Sequence, residues 1–132
     1  MFLNRLIGEE KIAFLELAHY VARSDNNFSE SEKEIISKYC TEMQIDNIIL
    51  DENSFDLDKT LSKIKDKRSQ KIVLLEIMAL IYSDNHMHIE EKNVLDSIVK
   101  KFGLNETLSV VYGEWAKSIL ALFIQGNALI EL

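Results

Sequence analysis

The chain has 132 residues, 47% of them apolar, with 15 basic and 22 acidic side chains, one cysteine and no proline. That length fits a single domain over residues 1–132, and the apolar share excludes wholesale disorder. A net charge of −7 makes nucleic acid and anionic membrane poor default partners, since both need a cationic surface; cations or a basic protein fit better.

Residues 1–8 lack the long apolar core of a signal peptide and run into Glu9 and Glu10. Residues 12–22 are apolar on most sides, as in a central helix covered by its neighbours. A loop opens with Ser24-Asp25-Asn26, and Asn tolerates the left-handed backbone of a tight turn. Ser29 and Glu32 then form a capping box. Ile35, Ile36, Tyr39, Cys40 and Met43 make one helical stripe, with Cys40 inside it as inert core. Residues 44–53 read as the loosest part, and 54–66 suggest one more helix carrying Phe55, Leu57, Leu61 and Ile64.

Residues 72–82 are again apolar nearly all round. Glu16 and Glu76 interrupt the two apolar helices, and each is expected to look out through the polar sliver of its helix. His19 reads as a boundary or hydrogen-bonded histidine. A second loop, Ser83-Asp84-Asn85, precedes the stripe Val94, Leu95, Ile98, Val99, Phe102, with Gly103 placed to end that helix in the left-handed region. Asn105 caps a last helix over about 106–124, where Gly113 and Gly126 weaken or bend the run. No sustained period-2 run appears. The expected fold is all-α, a compact bundle of about six or seven helices. The longest apolar runs are about ten residues, short of the roughly 20 that span a bilayer, so no transmembrane segment is expected. One cysteine forms no internal disulfide, and a cytoplasmic location is the simple reading.

The chain repeats itself. Residues about 10–45 and 70–104 each read as a buried helix, a short Ser-Asp-Asn loop and an amphipathic helix. Ser24-Asp25-Asn26 and Glu32-Lys33 match Ser83-Asp84-Asn85 and Glu91-Lys92 at an offset of 59. In the first helix of each half, Leu15-Glu16-Leu17 matches Leu75-Glu76-Ile77 better at an offset of 60. One residue turns a helix by about 100°, so the two registers bury different faces, and both stay open.

This tandem resembles the TerB-like family, which includes the tellurite-resistance protein TerB and the N-terminal region of a membrane-bound DnaJ-type co-chaperone. The residues that carry the resemblance are Ala22-Arg23-Ser24-Asp25-Asn26 with Ser29 and Glu32, and Ser83-Asp84-Asn85 with Glu91. It implies a pseudo-symmetric helical domain with a non-enzymatic role in stress response and metal binding at the acidic loops. Carried over residue by residue, those loops supply Asp25 and Glu32, and Asp84 and Glu91. Asn26 and Asn85 stand where the family has Gly, and His88 replaces the expected capping residue.

Chemically, each loop carboxylate and first-turn carboxylate could share a divalent cation (calcium, magnesium or zinc) with backbone carbonyls and water. The same residues also serve as caps and turn acceptors. A standard EF-hand is excluded. Counting from Asp25, the sixth position is Glu30 rather than Gly and the twelfth is Ile36 rather than Glu; from Asp84 the twelfth is Leu95. His86 and His88, near Asp84, Glu90 and Glu91, are candidate ligands for zinc or nickel, or else polar loop residues. Lys59, Lys63, Lys65, Lys67, Arg68 and Lys71 form a basic cluster that either docks an acidic partner or lipid headgroups or stays in water, so peripheral membrane association stays open. The apolar tail from Trp115 to Leu132 either packs back on the domain or forms a patch for self-association or partner docking.

No phosphate-binding Gly loop, nucleophile elbow or ordered triad is present, so an enzyme is not expected. The leading expectation is a TerB-like stress-response module that binds proteins, with cation binding at the two Asp-x6-Glu loops. The alternative is a metal-free oligomeric scaffold whose interface is the apolar C-terminal helix.

Overall fold

A computed structural model describes every residue except Asp25, Asn27, Asn85 and His86, with the backbone alone for Asp84. The described residues form an all-α bundle of six helices: α1 (Gly8–Ala22), α2 (Glu30–Met43), α3 (Leu57–Ser62), α4 (Lys67–Ile81), α5 (Ile89–Phe102) and α6 (Glu106–Ile130). Two short 3-10 turns, Leu3–Arg5 and Tyr82–Asp84, precede α1 and follow α4. The core lies between α1 and α4, where Phe14, Leu15, Leu17, Val73, Leu74 and Ile77 are fully buried. The other helices and the turn Leu3–Arg5 close around that pair.

The repeat has one register. Helix α1 maps onto α4 and α2 onto α5, end to end, at an offset of 59. Burial follows the same offset: Ala13, Phe14, Leu15, Leu17, Ala18 and His19 map onto Ile72, Val73, Leu74, Glu76, Ile77 and Met78, and all twelve are buried. Half-buried Glu16 and Tyr20 map onto half-buried Leu75 and Ala79. Glu16 and Glu76 are therefore not equivalent; an offset of 60 would pair a half-buried residue with a buried one.

The helix ends repeat as well. Gln44 (φ 58°) and Gly103 (φ 65°) close α2 and α5 in the left-handed region. The next N–H reaches back across each end, Ile45 to the Cys40 carbonyl and Leu104 to the Val99 carbonyl, both at 3.1 Å. This satisfies carbonyls that have no partner within the helix. Asn26 adopts φ 60°, as expected for the first loop, while Asn85 lies outside the described residues.

Three expectations need correction. The helix expected over 54–66 is the short α3; Phe55 lies before it and stacks on Tyr20, with ring centroids 4.4 Å apart. Helix α6 continues past 124 to Ile130, because Gly126 costs only about 1 kcal/mol against alanine and the good helix formers Gln125, Ala128 and Leu129 lie close on either side. Glu76 does not look outward. It is buried, and its Oε1 accepts the Phe2 N–H at 2.8 Å and the Met1 ammonium at 2.9 Å. Glu42 accepts the Leu3 N–H at 2.8 Å, so two carboxylates from different helices hold the first turn against the bundle.

Candidate interaction surface

The acidic loops place their first-turn carboxylates inward. Glu32 and Glu91 are 3% and 1% exposed. Each accepts the backbone N–H of its own N-cap residue at 3.0 Å, from Ser29 and His88 respectively. The Ser29 hydroxyl returns the bond from the Glu32 N–H, completing the capping box. His88 makes no side-chain cap bond. Glu10 does the same work at the start of α1, taking the Ile7 N–H at 3.1 Å. A buried glutamate at the third helical position thus opens three of the six helices. Asp25 and His86 lie outside the described residues, as does the side chain of Asp84. Among the described residues no group of three His, Cys, Asp or Glu side chains gathers as a metal ligand set.

His19 is buried at the C-terminal end of α1 and is hydrogen-bonded on both nitrogens. Nε2 lies 2.8 Å from the side-chain Oδ1 of Asn47 and Nδ1 lies 2.7 Å from the Arg23 guanidinium. Arg23 can only donate, so Nδ1 accepts and Nε2 carries the proton. Burial pushes the His19 pKa down; the Asn47 bond opposes this and the Arg23 charge adds to it. Arg23 also stacks over Phe28 at 4.3 Å and meets Glu52 at 3.8 Å. This set ties the segment between α2 and α3 to the end of α1. His19 was legible as a hydrogen-bonded histidine, but Asn47, 28 residues away, had no sequence signal.

The basic cluster divides. Lys67, itself exposed, donates to the Phe102 carbonyl and caps the C-terminal end of α5. Lys59, Lys65, Arg68 and Lys71 are exposed. Cys40 is buried in the stripe of α2, and burial raises its pKa, which keeps the thiol protonated and inert.

The apolar tail divides too. The first half of α6 packs on α4 and the turn after it. Gly113 and Ala116 are buried, and a Cβ at Gly113 would lie 3.6 Å from the Tyr82 ring and 3.8 Å from the Met78 sulfur. Trp115, Ile119 and Leu120 are half-buried. Beyond them the helix leaves the body: from Ala121 to Leu132 every residue except Gly126 is exposed. Leu122, Phe123 and Leu129 are 60%, 64% and 68% exposed. Between Lys117 and Glu131 there is no charged side chain. At the point of departure an apolar crevice of about 100 Å³ opens between α6, α4 and the N-terminus, lined by Met1, Ala79, Trp115, Ile119, Leu120 and Phe123, with Glu76 at its edge. The Phe2 ring, 6.1 Å from Trp115, adds to the same surface. Sequence reading identified the apolar residues of α6; it missed Met1, Phe2 and Ala79, which join them only through folding.

As a whole, α6 is long and apolar enough to cross a membrane by length and composition alone. Its first half is committed to the body, however. No family model, curated protein or solved structure matches this chain.

Proposed function

We propose that this protein is a non-enzymatic interaction module whose working surface is the exposed half of α6. The observation that carries this reading is the run of large apolar side chains left in water from Leu122 to Ile130 on a helix whose first half is packed into the core. Burying such groups is worth about 1.5–3 kcal/mol each, so a chain that leaves them contiguous and uncovered retains a strong drive to associate. The non-enzymatic class also agrees with what the TerB-like resemblance implies. Cation binding draws no support from Glu32 and Glu91, whose carboxylates already cap their helices.

The test is site-specific photocrosslinking in cells. A photoreactive residue replaces Leu122 or Leu129 in α6, or Glu34, an exposed residue of α2, as the control. Defined adducts are expected from both α6 positions and none from Glu34. Absence of adducts at α6, or an identical pattern from Glu34, would remove this reading.

A further inference from the structure

We propose that the occupant of this surface is a second copy of the same chain, bound as an antiparallel α6–α6 pair in which Leu122 packs over Gly126 of the partner subunit and Leu129 sits against Ile119 of the partner subunit. The inference rests on the reading of α6 as the working surface and names what covers it.

Spacing is the first argument. Trp115, Ile119, Leu122, Gly126 and Leu129 follow one another at intervals of four, three, four and three residues. That is the repeat of a helix seam built to meet another helix. Placing Ile119 opposite Leu129 of the partner subunit automatically places Leu122 opposite Gly126 of the partner subunit, because both pairs of numbers sum to the same value. A two-fold axis then generates each contact twice. Gly126 fits this role. A Cβ added there would meet nothing within 4 Å in its own chain, so no internal packing requires a glycine inside a helix. A leucine crossing at that point from a second helix supplies the missing reason.

The crevice is the second argument. Leu129 of the partner subunit, opposite Ile119, faces the apolar cavity of about 100 Å³ between Trp115, Ile119 and Phe123. A cavity of that size suits one aliphatic side chain. Two such insertions anchor a seam that is only about two heptads long and too short to hold by itself.

Charge selects the occupant. Each copy carries −7, so two copies repel overall and meet most easily over a surface without ionised groups. The stretch from Ser118 to Ile130 carries none. A basic partner would instead seek the acidic surface. A membrane fits less well: the charge-free stretch spans about 20 Å as a helix, against about 30 Å of hydrocarbon, and an anionic leaflet repels an acidic body. The seam offers a small interface. Leu122, Phe123, Leu129 and Ile130, on it or beside it, are 60–80% exposed, and each presents on the order of 100 Å²; Ile124 lies about 180° around the helix from Trp115 and stays outside the pair. Together the four supply about half of the roughly 800 Å² per partner of a standard interface, and the two crevice insertions add to it.

Sedimentation velocity of the purified full chain tests the pairing, with thermal unfolding in parallel. The wild type is expected to be a dimer at about 10 μM. The double variant Leu122→Asp with Leu129→Asp is expected to be a monomer with an unchanged helical spectrum, since both positions are exposed. Gly126→Gln is the sharper probe. Glutamine favours helix over glycine, so the folded chain should not be destabilised, while dimer dissociation should rise at least about tenfold because the slot for Leu122 is filled. A wild type that stays monomeric at about 100 μM overturns the proposal. So does a dimer that survives the Leu122 and Leu129 substitutions, or one indifferent to Gly126→Gln. Crosslinking separates the two readings. A monomer whose position 122 photocrosslinks to a different protein, or which floats with phosphatidylcholine–phosphatidylglycerol vesicles, overturns the self-pairing while α6 remains the working surface. A monomer with neither property removes both.

Discussion

The α1–α2 pair and the α4–α5 pair follow one backbone plan and one burial pattern, yet different residues fill equivalent places. Leu17 in the first pair corresponds to Glu76 in the second, His19 to Met78, and Ser29 to His88. All four helix residues are buried. The difference shows what a buried position demands. It accepts a polar group only where a donor or acceptor from elsewhere in the chain reaches it. Glu76 is tolerated because the N-terminal turn brings the Phe2 N–H to its carboxylate. His19 is tolerated because Arg23 and Asn47 occupy both ring nitrogens.

Exchanging residues between the two halves breaks the comparison at its most sensitive point. Leu17→Glu places a carboxylate in a fully buried site packed for leucine and should cost about 4 kcal/mol or more in urea unfolding. The reverse exchange, Glu76→Leu, keeps an apolar fit but leaves the Phe2 N–H without its acceptor, and should cost about 2 kcal/mol. Equal losses from the two variants would mean that the N-terminal turn does not select the glutamate.

The third exchange concerns pH. His19→Met copies Met78 and should cost about 1 kcal/mol at pH 7 through lost hydrogen bonds. Because the folded-state pKa of His19 lies below its ordinary value, the unfolded chain binds the extra proton first. Stability from this group is whole above about pH 6.5 and is lost as the pH falls through that range. The gap between wild type and His19→Met should therefore narrow from pH 7 to pH 5.5. A gap that stays constant would show that His19 titrates alike in both states.

The smallest effects lie at the caps. Ser29→Ala should cost about 1 kcal/mol by removing the side-chain half of the capping box. Glu91→Ala, which removes the acceptor of the His88 backbone N–H, should cost about 1 kcal/mol, read as a small fall in Tm. No change in Tm would show that this bond adds nothing to the start of α5.

Much of the architecture was legible because its signals are local. The stripes of α2 and α5, the Ser29–Glu32 box, the Asn105 cap and the left-handed Gly103 all depend on residues within a turn or two of one another. The tandem repeat was visible through the same short motifs. The register of α1 against α4 was not. A helix apolar on nearly every side has no polar face to orient it, so two offsets read equally well until neighbouring helices decide which side chains are covered.

The sequence by itself determined that the chain is helical, where α2 and α6 begin and where α5 ends, that two halves repeat, and that the last helix is rich in apolar groups. Only the tertiary structure decided that Glu76 is buried against a turn 74 residues away, and that α6 is half core and half exposed surface. The apolar residues of α6 look alike along its length; what separates Ile119 from Leu129 is whether another element lies against them. Gly113 faces Met78 and Tyr82 and Ile119 shares a crevice with Ala79, whereas from Ala121 onward α6 stands away from the body.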